Sequence, residues 1–457
     1  MEDGHGNVGD AGPLKRVLII AYYWPPAGGP GVQRWLKFSK YLPEFGWSPT
    51  VLVPDGAAYP ILDPSLEQDI PDGLKVIRVP IWEPYEAAMA LLQGKKGAER
   101  LGSISSTASS KPSLGRTLML WCRGNLLLPD PRILWRRKAR RTALSLWGEA
   151  AQSDAPFDAL VTTGPPHSIH LIGLDLKRKV GMPWLADFRD LWREMDYLRD
   201  FHPTARTSRR HAHMERAVFQ SADSVTYPSP GVGLSLASDG TPESRSKLEL
   251  IYNGWDPSDV PQTDLDVHPR HDDHAFHVGH FGSLFPTRDA PGLWAAIQEW
   301  NQQADRKPIH LHVVGKINPN VRTSIQSVLS DQEWTDHGYV SHSEAIAHMR
   351  RMDGLLLIQN DNDTGQRAIP GKAFEYLATG RPMAIVAPIP SDLDELAREW
   401  GLSPTGHHDA RGAMAMLEGL FQQSGDRREH IDRFSRRHLT ASIARCLDGI
   451  SSPTDPS

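Results

Sequence analysis

Short apolar runs alternate with longer segments in which apolar positions recur about every three to four residues, and the rhythm holds along most of the chain. Val17-Leu18-Ile19-Ile20-Ala21 is the first such run, and its lack of polar alternation predicts a strand covered on both faces. A Pro- and Gly-rich turn, Tyr22 to Gly31, comes next. A helix is predicted over about 32–45, and Thr50-Val51-Leu52-Val53 returns as a strand. Further strands are predicted at 76–79, 159–161, 184–186 and 224–226 in a first half. A second half has them at 248–251, 278–281, 309–314, 354–358 and 383–386. Strands alternating with helices predict an α/β protein with parallel sheets. The domain boundary is expected in the Ser-, Gly- and Pro-rich stretch 229–246, between a domain of 15–235 and one of 248–426. A last helix over 427–447 is expected to cross back onto the first domain, residues 1–14 to be flexible, and the loop 94–113 to be mobile.

Composition narrows the classes. A chain of 457 residues with 39% hydrophobic and 8% aromatic content can build two cores. A net charge of −5 argues against a general nucleic-acid binder. Cys122 and Cys446 alone allow no disulfide framework or cysteine-rich zinc site, which suits a reducing cytoplasm. The beginning of the chain has no signal-peptide pattern, and no run of about 18 apolar residues predicts a membrane span.

The most specific segment is Ile369-Pro370-Gly371-Lys372-Ala373-Phe374-Glu375-Tyr376-Leu377-Ala378-Thr379-Gly380. It follows an apolar strand, opens a helix at Pro370 and stops at Gly380. Unpaired N–H groups and the positive end of a helix dipole beside a strand's carboxyl end bind phosphate. Lys372 adds charge there, and Glu375, almost one turn on, can accept from sugar hydroxyls. A diphosphate with a ribose means a nucleotide.

This segment resembles the donor-binding helix of family-4 glycosyltransferases. The resemblance implies a GT-B fold, two Rossmann-like domains facing across a cleft, and retaining, metal-independent transfer from a nucleotide diphosphate sugar. It assigns the ribose to Glu375; the second glutamate that many members carry eight residues earlier is here Arg367, which leaves the sugar contact open. Gly28 and Gly29, in the turn after the first strand, match the glycine pair that faces the donor diphosphate. In Gly282-Ser283-Leu284-Phe285-Pro286-Thr287-Arg288, Arg288 falls at the position whose guanidinium stabilises the departing phosphates, while a further family arginine is replaced by Ser283. Asn253-Gly254 and Gly338-Tyr339-Val340-Ser341 resemble other donor-side turns, the latter reading the base through Val340. Thr163-Gly164-Pro165-Pro166-His167-Ser168 and Ala186-Asp187-Phe188-Arg189-Asp190 resemble a subgroup's Pro-Pro-His-Ser and Asp-Phe-Arg-Asp motifs. They imply that His167 orients the sugar or acts on the acceptor hydroxyl, and that Asp187, Arg189 or Asp190 binds or activates the acceptor. Arg288, Lys372 and His167 are thus the expected catalytic residues, with Gly28, Gly29, Gly282, Val340, Pro370, Gly371 and Glu375 holding the donor.

Other readings stay open. His268, His271, His274, His277 and His280 form a tract that suits a linker or a metal site. No cofactor or metal is expected for transfer; Asp361-Asn362-Asp363 is the nearest Asp-x-Asp pattern, in a loop. Arg132, Arg136, Arg137, Lys138, Arg140 and Arg141 crowd one helix, where Trp135, Ala139, Ala143, Leu146 and Trp147 make an apolar stripe. That helix is expected either to lie on an anionic membrane, bringing a cytoplasmic enzyme to a lipid-linked acceptor, or to pack its stripe into the core. A sugar-nucleotide epimerase and a non-catalytic sugar-nucleotide binder are the alternative functions, and surface polysaccharide synthesis is the pathway class the resemblance suggests.

Overall fold

A computed structural model describes residues 13–84, 114–153, 155–238, 241–260, 274–423 and 431–451. The loop expected at 94–113, most of the N-terminal segment, and His268 and His271 lie outside them. The apolar runs become strands β1 (Lys15–Ile20), β2 (Trp47–Asp55), β3 (Lys75–Pro80), β4 (Ala159–Gly164), β5 (Trp184–Phe188), β6 (Ser224–Tyr227) and β7 (Leu248–Leu250). The second half contributes β8 (Phe276–Phe281), β9 (Ile309–Val314), β10 (Trp334–Gly338), β11 (Gly354–Ile358) and β12 (Met383–Val386). All pairings are parallel.

The longer helices, in chain order, are α1 (Pro30–Tyr41), α2 (Leu114–Leu126), α3 (Arg136–Ala151), α4 (Ser168–Val180), α5 (Ala205–Ser221) and α6 (Pro230–Ser238). There follow α7 (Pro291–Asn301), α8 (Pro319–Gln326), α9 (His342–Arg351), α10 (Gly371–Ala378), α11 (Asp392–Glu399), α12 (Ala410–Gln422) and α13 (Arg436–Ser451).

The first sheet has the order β3-β2-β1-β4-β5-β6-β7 and the second β10-β9-β8-β11-β12. Each reverses direction of winding once, between β1 and β4 and between β8 and β11. In open parallel sheets such a point leaves a crevice outside the strands' carboxyl ends, where ligands bind. Apolar layers cover both faces of each sheet, which is why the strands read as unbroken apolar runs.

Two expectations need correction. The strand 248–251 was assigned to the second half, yet β7 pairs with β6 and closes the first sheet. The chain crosses to the second domain only after it, through Tyr252 to Val260. The return crossing runs beside the outward one: Trp255 N–H donates to the Phe434 carbonyl at 3.1 Å and Arg436 N–H to that of Trp255 at 2.7 Å. Gly254, at φ 64°, allows this approach, since a Cβ there would sit 2.4 Å from the Phe434 carbonyl oxygen. Second, the returning helix starts at Arg436 rather than near 427. Its Leu439, Ile443, Ala444 and Leu447 pack with Val17, Ile19, Val51 and Leu185 of the first sheet.

Candidate functional site

The crevice of the second sheet gathers its charges around Gly282, immediately after β8. The Lys372 ammonium, from the first turn of α10, donates to the Phe281 carbonyl at 2.6 Å. Gly282 has φ 141°, and a Cβ there would meet Lys372 Nζ at 1.8 Å, so only glycine leaves the lysine its place. Arg288 reaches the same point from the turn after β8; its Nε donates to Asn360 Oδ1 at 2.8 Å and its Nη1 to the Ser283 carbonyl at 3.0 Å. Ser283, standing at the position of the missing arginine, thus orients the remaining one through its backbone. Asp289 does not pair with Arg288; it accepts from Trp294 Nε1 at 2.9 Å.

Burial, and then the Arg288 charge, push the Lys372 pKa down to about 7, and burial pushes Arg288 down to about 10. No carboxylate comes within 4.0 Å of either among the described residues. Two enclosed cations facing one another, with only the more distant Glu375 charge to offset them, are costly unless a ligand supplies more. Pro370 occupies the cap position of α10 rather than its first turn, and Gly371 begins the helix. The first N–H groups of a helix have no partner within it, so those of Gly371 and Lys372 face the same space. His280, beneath Gly282, gives one ring nitrogen to the Leu356 carbonyl at 3.0 Å, and burial followed by the Lys372 charge holds it neutral. Glu375 lies one turn beyond Lys372, with Arg436 Nη2 at 3.8 Å. Val340 sits in the turn between β10 and the Ser341 cap of α9, partly buried.

The first sheet offers its own crevice opposite. Gly28 is already engaged, since its N–H donates to the Ile61 carbonyl at 2.9 Å. Gly29 caps α1 at φ 89° with only Ile61 Cδ1, at 3.9 Å, near where a Cβ would be, so it is the freer of the pair. His167 stacks on Trp192 at 4.7 Å, and neither of its ring nitrogens has a hydrogen-bond partner. Burial and the neighbouring His170 hold its pKa well below the ordinary value, so the ring is the neutral imidazole. Arg189 donates to the Gly31 carbonyl at 2.7 Å and to that of Pro165, clamping the two turns together. Asp190 is pushed up to about 6 by burial, which leaves it able to exchange a proton near neutrality.

Asp187 does not belong with them. Its carboxylate is fully buried and accepts from Arg34 at 2.9 Å, Trp35 Nε1 at 2.7 Å, Thr163 Oγ1 at 2.9 Å and Thr226 Oγ1 at 2.7 Å. Burial alone raises its pKa, but the Arg34 charge and hydrogen bonds outweigh this and keep it low. With its lone pairs occupied and no access to the cleft, it anchors β5 to α1 and does not meet an acceptor.

Arg367 spans the cleft. It pairs with Glu194 of the first domain, and its carbonyl accepts from Ser229 Oγ at 2.6 Å. A Cβ at Gly231 would come within 2.7 Å of Arg367 Cβ, so the two domains touch closely here. Asp361 and Asp363 face different partners: His407 and His408, both at 3.8 Å, and Arg199 at 3.4 Å. The histidine tract is divided by the strand's alternation. His277 points to the face opposite His280 and joins His312 at 2.8 Å, which in turn meets His337 at 2.9 Å. Among the described residues no group of three His, Cys, Asp or Glu side chains is arranged to hold a metal ion.

The basic helix α3 turns its stripe inward: Trp135, Ala139 and Ala143 are core residues, while Arg136 and Arg140 meet Asp175 at 2.6 and 3.4 Å. That stripe is therefore not available to a membrane. Exposed apolar side chains lie instead on α2, at Leu118, Trp121 and Leu126. Among the described residues no helix is long and apolar enough to cross a membrane.

No protein-family model matches this sequence, and no curated protein matches it. Solved structures do. HepE of Anabaena, in complex with UDP and glucose, is 15% identical with a TM-score of 0.57, over 95% of this chain and 100% of that one. Sucrose-phosphate synthase of Thermosynechococcus elongatus is 13% identical with a TM-score of 0.55, over 96% of both chains. A trehalose-6-phosphate protein of E. coli bound with UDP-2-fluoro glucose is 10% identical with a TM-score of 0.55, over 96% of this chain and 97% of that one. At these identities the likeness establishes the fold: two Rossmann-like domains facing across a cleft.

Proposed function

We propose that the protein is a glycosyltransferase that moves a sugar from a nucleotide diphosphate sugar to an acceptor hydroxyl. The observation that carries this reading is the pair Arg288 and Lys372, two enclosed cations with no carboxylate within 4.0 Å among the described residues, converging beside a helix N-terminus at the switch point of the second sheet. A diphosphate supplies the missing charge. As the bond from sugar C1 to the diphosphate oxygen breaks, negative charge builds on that oxygen. The two cations and the α10 N–H groups stabilise it. Glu375 takes the ribose hydroxyls, and the turn holding Val340 meets the base. The acceptor hydroxyl forms the new bond to C1, and its proton leaves with the phosphate oxygen in the family-4, retaining course. Neutral His167 and Asp190 line the opposite wall, where sugar and acceptor meet. The bound UDP and UDP-2-fluoro glucose of the structural neighbours favour a UDP donor. For a lipid-linked acceptor, the exposed apolar face of α2 is the surface offered to the cytoplasmic side of a membrane.

A donor panel tests the reading. With UDP-, GDP-, ADP- and dTDP-sugars, one base is expected to raise the melting temperature, and slow release of its nucleoside diphosphate is expected over hours. Interconversion of the sugar without release favours the epimerase, and a shift without any turnover on acceptor addition favours the binder. No shift with any donor sinks the proposal.

The pH dependence of donor binding follows from Lys372. A nucleotide sugar binds the charged ammonium, and in the empty site half of that charge is gone at about pH 7. Affinity is therefore level below pH 7 and falls about tenfold per unit above it, because each pKa unit corresponds to about 1.4 kcal/mol. Calorimetry in buffers of different ionisation enthalpy is expected to register close to one proton taken up per donor bound at about pH 8. Lys372→Met should bind weakly but with a flat profile; a slope that survives this substitution assigns the titration elsewhere.

A further inference from the structure

We propose that Arg436 is a positioning residue of the nucleotide site, fixing the carboxylate of Glu375 against the ribose and tying it to the junction between the domains. The inference rests on the donor-site reading above.

Arg436 is the first residue of α13, the helix that packs on the first domain, and only 3% of its side chain is accessible. Its orientation is set without Glu375: Nε donates to the Asn253 carbonyl at 3.2 Å, and its own N–H to that of Trp255 at 2.7 Å. The guanidinium then stands between two carboxylates, with Nη2 3.8 Å from Glu375 Oε1 and Nη1 4.0 Å from Asp259 Oδ2. Nη1 has no hydrogen-bond partner although it is buried.

These separations carry the argument. A guanidinium closer in would occupy the lone pairs of Glu375 that a ribose needs. At 3.8 Å it is near enough to attract and align the carboxylate, but leaves both oxygens free to accept from hydroxyls. Among the described residues no other cation lies within 4.0 Å of Glu375. On its far side, Asp259 is held by Lys37 of α1 at 2.6 Å and by His342 of α9 at 3.4 Å. The His342 N–H donates to Asp63 of the first domain at 3.3 Å. Burial opposes charge on Asp259, yet the His342 hydrogen bond and Lys37 prevail and keep it ionised. The carboxylate assigned to the ribose is therefore aligned by a residue that the second domain does not contain within its own sheet layers.

Calorimetry with UDP, GDP and ADP and their 2′,3′-dideoxy counterparts tests this. The wild-type protein is expected to prefer the ribose form of one base. Arg436→Gln should weaken that ribonucleotide about tenfold, the worth of a charge-assisted contact, and leave the dideoxy form within about twofold. Glu375→Gln should give the same pattern, and the double variant no further loss. Arg436→Lys, which keeps the charge but not the fork, should recover part of the preference, and it decides the matter should the Gln variant fold poorly. An equal loss for both nucleotide forms, or no loss, overturns the role of Arg436 while leaving the donor site intact. A wild-type protein that binds no nucleoside diphosphate overturns the donor-site reading itself, and this inference with it.

Discussion

For the proposed transferase, Arg288→Ala is expected to lower turnover by about 10²–10³-fold, with a much smaller loss of donor affinity. The asymmetry follows from when the charge appears. In the bound donor each phosphate oxygen already has Lys372 and the α10 N–H groups to meet it. The charge that Arg288 is placed to stabilise develops on the bridging oxygen only as the sugar departs. Asn360 and the Ser283 carbonyl hold its guanidinium in one orientation, so little reorganisation is needed at that moment. Rates of nucleoside diphosphate release, compared with dissociation constants by calorimetry, separate the two effects. Arg288→Lys should restore only a part, because an ammonium cannot reproduce a planar fork. Equal losses in turnover and affinity would place Arg288 in ground-state binding rather than in stabilisation of the leaving group.

Asp187→Ala destabilises the fold by about 3–5 kcal/mol, since it leaves the buried Arg34 charge without its partner. Arg34 would retain the neutral Ile251 and Tyr252 carbonyls, at 2.8 and 2.9 Å, and Asn253 Oδ1 at 3.4 Å, and Trp35, Thr163 and Thr226 would each lose an acceptor. Urea denaturation measures the loss. Asp187→Asn keeps the shape without the charge and should fall between. A variant of native stability that is nonetheless inactive would return Asp187 to the acceptor side.

The sheets were legible because both faces are covered, so their strands appear as plain apolar runs. β10 was not: it lies at an edge, and Thr335, Asp336 and His337 give it a polar reading. The sheet to which β7 belongs was hidden as well, because order along the chain does not say at which strand the crossing occurs. At the site, Lys372 and Glu375 were readable from one local helix start, and Arg288 from one turn. Asp187 misled because an aspartate at a strand end, two residues before an arginine, looks like a cleft residue. Its true partner, Arg34, lies 153 residues away. Arg436 left no local signal at all, since its contacts come from Asn253 and Asp259 of the outward crossing and from Glu375 of α10, both far from it along the chain. The same holds for His277, whose partner His312, and His337 beyond it, lie on other strands rather than in its own tract.

The double crossing between the domains also bears on how the chain matures during synthesis. β7 completes the first sheet before the second domain has been made, but Leu439, Ile443 and Leu447, which cover Val17, Ile19 and Leu185, come after it. On a ribosome the second domain can therefore close its own core while the part of that face which α1 does not cover still lies bare. The earliest-made sheet is the last to be finished, and an interruption in translation between α12 and α13 releases a protein whose second sheet is complete while part of an apolar face of the first stays uncovered.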